Sequence, residues 1–552
     1  MAVPFTVSAP AGARIRDRLH LSTRDGEVLR IVGEHLGGHA RADLAERVRI
    51  GMVPVKENRR AERKRDLTTV SSSRWAGAIT RASEDQYQLS LRCLFDERAS
   101  LRRAISKIRS RLAVPCGQRV GGVRGYPSRG ERTQKQCRLQ VLTTRLAEVE
   151  RRIEAGRPAI VVGGRPLAKV RHSLADAGLT ETGWRERWDA QRMFLTADGE
   201  SGAPHGNYTI SVDPADGTVM LVLPEPLRHL ANAPRGRYRL ACTVTFHHRR
   251  EEWLDRATAK RSVRYDITHD PVRGRWYLDV SWSTEKTALP APVELAAAGV
   301  RLLAVDLNAD HFAACVVDAH GNPVGEPFTV ATDLTGPASQ RDGRLRAAIT
   351  TLIDLARANG CAGVAIENLG FSDARATGRE TMGRGKRGKT FRRTVAGLPT
   401  AKFRERLRGM AHHRGLVVVA VDPAYTSRWG GWYWQVPLQQ QSKTTVTRHH
   451  GASVAIGRRA FGYGIRRRPG VTAHDQRIVA RRATGQAVPH PRARGTASPP
   501  RTTGTPRRGT KTCRDRSDSL ALFPVSQDRP GRQPASPVYG DPANSGRHRQ
   551  ER

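Results

Sequence analysis

Three short apolar runs near the middle of the chain constrain its fold most. Leu302-Leu303-Ala304-Val305 ends on Asp306, Phe312 to Val317 follows a brief turn, and Val364-Ala365-Ile366 ends on Glu367. Runs of this length, rich in β-branched residues and closed by polar ones, read as buried strands. The turn at His320-Gly321-Asn322-Pro323 leads into a further run, so the segment opens as a three-stranded meander. Lone carboxylates at the ends of neighbouring strands repel each other unless something neutralises them. A divalent cation does so, and two cations can clamp the attacking and leaving oxygens of a phosphodiester.

The rest of the chain is suited to bring a polyanion to such a site. With 94 Lys+Arg against 52 Asp+Glu, the 552 residues carry a formal charge of +42, far beyond what solubility requires. A field of that size points to nucleic acid, because neutralised phosphates release counterions; a coding bias toward Arg would raise the count without any ligand. The seven cysteines are scattered and form no Cys-x-x-Cys pair. Neither a disulfide framework nor a complete zinc site is expected, and a reducing cytoplasm fits. Met1-Ala2-Val3-Pro4-Phe5 lacks the layout of a signal peptide, and no apolar stretch is long enough to span a bilayer, so no membrane partner is expected.

Composition divides the chain into four parts. Residues 1–155 read mostly as helix: Asp85 to Leu112 and Gln134 to Ile153 place apolar residues at three- and four-residue steps with Arg on the other face. Between them, Pro115 to Arg132 reads as a Gly/Pro/Arg loop. Residues 156–298 hold short strand candidates at Pro158 to Val162, Tyr208 to Val212, Thr218 to Leu223, Tyr238 to Phe246, Arg261 to Ile267 and Trp276 to Trp282, which predict a small, OB-like β-barrel. Its tryptophans, Trp184, Trp188, Trp253, Trp276 and Trp282, are expected mainly in the barrel wall, with one or two free to stack on bases.

Residues 299–465 run as three strands, a helix (Asp342 to Asn359), a strand (Gly363 to Glu367), a helix (Thr400 to His413), a strand (Leu416 to Val421) and a late helix (about Thr447 to Phe461). A β-meander followed by alternating helices and strands is the layout of an RNase H-like fold, in which the first strand lies beside the fourth. Asp306 and Glu367 would then meet at one sheet edge. An insertion at 374–393 contains Arg384, Lys386, Arg387 and Lys389 among glycines and reads as a cationic lid on phosphates, or as a surface loop. Residues 466–552 collapse into Arg, Pro, Gly, Thr and Ser and read as a disordered basic tail. The fold class expected is thus multidomain α+β: helical lobe, small barrel, RNase H-like α/β domain and tail.

Asp306 in Ala304-Val305-Asp306-Leu307-Asn308, Glu367 in Ile366-Glu367-Asn368-Leu369, and Asp422-Pro423-Ala424-Tyr425-Thr426-Ser427 occur in order. Together they resemble the RuvC-like nuclease region of the TnpB family, transposon-encoded RNA-guided DNA nucleases related to type V CRISPR effectors. Ser73-Arg74-Trp75-Ala76-Gly77, Gly206-Asn207 and Gly274-Arg275-Trp276-Tyr277-Leu278 resemble an actinobacterial branch of TnpB-related proteins. The resemblance spans about residues 70 to 462. It implies a helical recognition lobe, a wedge barrel, a nuclease domain, Mg2+ or Mn2+ on Asp306 and Glu367, a guide RNA, and double-stranded and displaced single-stranded DNA as partners. Tyr425, Arg428 and Trp429 are then candidates for nucleic-acid contact, with Trp432 as a further stacking ring.

Two departures bear on activity. The family's zinc ribbon would follow Thr426-Ser427, but Trp429-Gly430-Gly431-Trp432-Tyr433-Trp434 stands there and no cysteine occurs before Cys513, so no structural zinc is expected. The family's third carboxylate would come from the last helix, and the matching segment is His449-His450-Gly451-Ala452-Ser453. Imidazole is a poor ligand for Mg2+ and removes a negative charge from the site. Two outcomes stay open. The site binds metal, with His449 or His450 as ligand or general acid and Asp422 as a substitute carboxylate; or the protein binds guide-selected DNA without cutting it. A guide-independent RNA-binding protein is a third, weaker reading.

Overall fold

The structure is a computed structural model, and it describes residues 3–285, 287–308, 310–336, 338–368 and 400–465. The insertion at 374–393, with Arg384, Lys386, Arg387 and Lys389, and the tail from 466 lie outside the described residues. The chain divides into two compact units, one formed by residues 11–285 and the other by described residues of 3–10 and 287–465.

The first element, β1 (Phe5–Thr6), belongs to the second unit. The first unit then contains β2 (Gly12–Leu19), α1 (Thr23–Ile50), α2 (Arg60–Val70), α3 (Ser73–Leu112), a two-residue hairpin β3 and β4 (Arg119–Val120, Val123–Arg124), α4 (Arg129–Glu154), α5 (Arg165–Val170) and α6 (Glu181–Ala190). It continues with β5 (Thr196–Ala197), β6 (Ile210–Val212), β7 (Thr218–Val222), β8 (Arg237–Thr243), α7 (Arg250–Thr258), β9 (Arg264–Asp270) and β10 (Arg275–Ser283). The long helices behave as their periodicity predicts. Tyr87, Leu91, Leu94, Leu101, Ile105 and Ile108 of α3 bury against Leu142, Val149 and Ile153 of α4, while arginines occupy the wet face. Ser22 caps α1: its hydroxyl accepts from the Asp25 amide at 3.1 Å, and the Asp25 carboxylate accepts from the Ser22 amide at 3.4 Å.

The expected barrel is not there. Among the described residues the strands make a four-stranded sheet ordered β2-β10-β9-β5 and a separate three-stranded sheet β6-β7-β8, with no closed barrel. β5 pairs through only two residues, and β6 to β8 pair only with each other. Both sheets instead bury a common core with helices, joining Ile15, Leu278 and Val280 to Ile210, Leu221 and Tyr238 and to Leu29, Val32, Trp75 and Ile79. Pro158 to Val162 forms no strand, because the chain turns immediately afterwards through Gly163 and Gly164 at positive φ. Trp184, Trp253, Trp276 and Trp282 are buried, and Trp188 stacks on Trp184 at 5.6 Å.

The second unit adds α8 (Pro292–Ala297), β11 (Arg301–Leu307), β12 (His311–Val317), β13 (Pro323–Ala331), α9 (Ala338–Ala358), β14 (Cys361–Glu367), α10 (Thr400–His413), β15 (Val417–Val421), α11 (Thr426–Tyr433), α12 (Gln435–Gln441) and α13 (Arg448–Ala460). It is a mixed α/β fold around one six-stranded sheet ordered β1-β15-β14-β11-β12-β13. β11, β12 and β13 are antiparallel neighbours, whereas β11, β14 and β15 run parallel. β11 therefore lies beside β14, as the element order predicts. Both faces are covered, which explains the near-continuous apolar runs. Leu303, Val305, Val364, Ile366 and Val418 face α9 and α10; Leu302, Ala304, Ala365, Val419 and Val421 face α13 through Ile456 and Ala460.

Helix α13 sits unusually close to its neighbours because glycines remove the side chains in between. A Cβ on Gly457 would lie 2.5 Å from Val317 Cγ2, and one on Gly451 would lie 2.4 Å from the Gly430 carbonyl oxygen of α11. The second contact is backbone and cannot rotate away. Gly451→Ala should therefore cost about 2 kcal/mol of stability, read from the urea midpoint. Gly409→Ala in α10, which meets nothing within 4 Å, should instead gain up to about 1 kcal/mol from helix propensity.

Candidate active site

Asp306 and Glu367 occupy matching positions on adjacent parallel strands. Val305 pairs with Ile366, so the next step of the ladder sets Asp306 beside Glu367, across a strand spacing of about 4.8 Å. Side chains alternate along a strand. Asp306 thus shares the face of Leu302 and Ala304, and Glu367 that of Ala365, the face covered by α13. Asp306 is 3% exposed. Burial, then the Asp306 charge, pushes the Glu367 carboxyl up to about 7; Thr426 and Arg459 pull the other way.

The surrounding groups hold this pair in place. The N-terminus of α13 brings His449 Nδ1 to 2.8 Å from Asp306 Oδ2, and Asn308 Nδ2 donates to the same oxygen at 3.1 Å. Arg448 Nε lies 3.4 Å from His449 Nε2. His311 meets the His449 ring edge-on at 5.3 Å and bonds Asp310 at 2.7 Å. Asp310 itself is a solvated turn residue, 84% exposed. The adjacent His450 points elsewhere. It is buried, its Nδ1 accepts from the Thr447 amide at 3.1 Å and its Nε2 meets Thr329 Oγ1 at 2.9 Å. Burial keeps it below the ordinary imidazole value.

At Glu367, the Thr426 hydroxyl at the start of α11 hydrogen-bonds Oε1 and also lies 3.0 Å from the Pro423 carbonyl. Buried Arg459 supplies a nearby positive charge and bonds the Asp422 carbonyl oxygen. The Asp422 carboxylate accepts from the Ala424 amide at 2.9 Å, forming a turn. Thr426, Arg459 and Asn308 were not singled out in the sequence. Thr426 lies inside a recognised motif and could have been; Arg459, one of 94 basic residues, could not. Tyr425, Arg428 and Trp429 come onto and just before α11. Tyr425 stacks on Trp429 at 5.0 Å, and Arg428 sits over Trp432 at 4.4 Å. Beyond α11, Trp434, Leu438 and Val446 join Tyr433 and Val454 in an apolar cluster with Cys315.

Among the described residues no group of three or more His, Cys, Asp and Glu side chains is arranged to hold a metal ion. The donor set does not make an all-protein cage. It does fit a hard cation of the Mg2+ type, which takes one or two carboxylates and keeps its remaining waters. Two carboxyls in register, one pushed up by burial and then by the charge of the other, would gain from such an ion.

No family model matches the chain, and no curated protein does. Solved structures that resemble it include T. thermophilus RuvC in complex with a Holliday junction substrate, at 17% identity over 29% of this chain and 93% of that one, TM-score 0.21. Another is a Cas12f1-sgRNA-target DNA complex, at 12% identity over 82% of this chain and 99% of that one, TM-score 0.30.

A carboxyl whose folded value lies above its ordinary 4.5 keeps a proton that the unfolded chain has already lost. Stability from this group therefore falls as pH rises from about 4.5 toward 7 and then levels off. In metal-free buffer, the Tm of the wild-type chain should drop across that window relative to Glu367→Gln. Saturating Mg2+ at alkaline pH should recover the loss in the wild type alone.

Proposed function

We propose that this chain is a RuvC-like, metal-dependent DNA endonuclease of TnpB type, directed by a guide RNA and working in the cytoplasm. The observation that carries this reading is the placement of Asp306 and Glu367 in register at the ends of adjacent parallel strands, on one covered face. The charge of +42 supports a polyanionic substrate. Asp306 and Glu367 would hold Mg2+ or Mn2+, which when bound activates water and stabilises the leaving 3′-oxygen. His449 and Asn308 fix the Asp306 carboxylate, and Thr426 fixes Glu367. Arg459 balances part of the charge that accumulates between them. Guide pairing would select the sequence, with the protein reading backbone shape and a short adjacent motif. The basic residues Arg384, Lys386, Arg387 and Lys389 are proposed phosphate contacts.

The bond between His449 and Asp306 also favours a second reading, guide-directed binding without cutting, because a third carboxylate is replaced by a group that occupies Asp306. Purification with co-expressed RNA, followed by sequencing of what stays bound, tests the class. A discrete species from flanking element DNA is expected; bulk cellular RNA would contradict guidance. With that complex, Asp306→Ala should reduce cutting of guide-matched DNA in Mg2+ or Mn2+ to background. His449→Ala should lower cutting by roughly 10- to 100-fold, as loss of a group that orients a metal ligand does. Target occupancy by the wild type with no cutting, unaffected by Glu367→Ala, would establish the second reading.

A further inference from the structure

Helix α1 of the first unit carries a pair of histidines at a chelating spacing. His35 and His39 are four residues apart, so they share one side of the helix. Their ring centres lie 4.7 Å apart, with the planes at 74°. Two imidazoles that share one cation, each through a nitrogen at about 2.1 Å, place their ring centres roughly 4.5 to 5 Å apart. Both residues are half-buried, so neither is sealed from solvent.

Hydrogen bonding decides which atoms can act. His35 Nε2 lies 3.0 Å from the Val70 carbonyl oxygen at the end of α2. A carbonyl only accepts, so Nε2 carries the proton, and the neutral ring keeps the lone pair on Nδ1 for a ligand. A backbone carbonyl on the second nitrogen is a usual partner of a metal-bound imidazole, because it fixes tautomer and ring orientation together. Burial, then His35, holds His39 below the ordinary imidazole value, which keeps that ring neutral at pH 7.

The glycines of α1 fit the same reading. Glycine weakens a helix interior, yet Gly33, Gly37 and Gly38 fall close together. Packing explains two of them. A Cβ on Gly33 would lie 3.1 Å from Met193, and one on Gly37 would lie 2.2 Å from the Arg192 carbonyl oxygen. A Cβ on Gly38 would meet only the end of Arg41, at 3.8 Å. Gly38 follows His35 by three residues, and exposed Ala42 follows His39 by three. Small residues at both positions leave the flank of the pair clear for waters on a bound ion.

We propose that His35 and His39 form a two-imidazole site on α1 for a divalent transition metal of the Zn2+, Ni2+ or Cu2+ class, with water completing its coordination. Neutral imidazoles suit these ions, whereas Mg2+ and Mn2+ prefer the oxygens of a carboxylate pair. Two protein ligands are half of a structural zinc set, so the ion exchanges with solvent. A clamp across Gly37 and Gly38 also holds the weakest turn of α1 in its helical form, and binding therefore stabilises the folded state. The site goes beyond the nuclease reading and uses different ions, so either can fail alone.

The test is calorimetric titration of Ni2+ and Zn2+ into the full chain, freed of nucleic acid and kept in excess Mg2+ so that hard sites are filled. His39→Ala leaves the bond between His35 and Val70 in place and should weaken the tightest site about tenfold or more, as loss of one arm of a chelate does. His35→Ala should do the same, and the double variant should add little. His247→Ala, which removes an exposed histidine outside the pair, should change nothing. Affinity should fall as the pH drops below about 6, where imidazole gains its proton. Ni2+ should raise the Tm of the wild type and of His247→Ala, and leave that of His39→Ala unmoved. Equal Ni2+ affinity in the wild type and in His39→Ala folded by circular dichroism, or an affinity that does not change between neutral and acid pH, would overturn the proposal.

Discussion

Two negative charges placed side by side in a covered sheet are the constraint on which the rest of the second unit turns. Across a strand spacing in a region shielded from water, repulsion between Asp306 and Glu367 is not screened as it would be at the surface. Burial and that repulsion push the Glu367 carboxyl up to about 7, and the fold arranges donors around both groups. His449 and Asn308 converge on one oxygen of Asp306, while Thr426 meets Glu367. Such a pair is expensive for stability and is understandable where charge has to be gathered for a cation.

Those donors come from different elements, and their positions depend on close packing. His449 stands at the start of α13 and Thr426 at the start of α11, and the two helices meet where Gly430 and Gly451 leave room for backbone contact. Gly457 seats α13 on β11 and β12 in the same manner. A side chain at any of these three positions would displace a donor from a carboxylate. The glycines are in this sense part of the site, though they touch nothing that reacts. The apolar cluster of Tyr433, Trp434, Leu438, Val446 and Val454 completes the support.

Much of the second unit was legible in the sequence because both faces of its sheet are buried. Strands such as Val417–Val421 then read as unbroken apolar runs, and α10 could be bounded at Thr400 and His413. The pairing of the two carboxylates followed from element order alone. The first unit was less legible. In β2, Ala13, Ile15 and Leu19 face the core, but Arg14, Arg16 and Arg18 alternate with them. The mixture hides a strand within a region otherwise read as helical, and Arg16 finds its partner Asp279 only on β10, 2.6 Å away. The expected barrel fails for a related reason. Short strands with turns announce antiparallel pairing but do not say which edges close, and here long-range burial against α1 and α3 decided it. Arg459 could not be found by inspection, since its role depends on a helix register that brings it back to the strand ends.

The central claim is that Asp306 and Glu367 hold one cation jointly. Electron paramagnetic resonance of Mn2+ titrated into the purified chain, free of nucleic acid, tests it directly. The account predicts saturable binding by the wild type and its loss in both Asp306→Asn and Glu367→Gln, since each removes half of a shared site. Binding that survives either substitution at full affinity would contradict it.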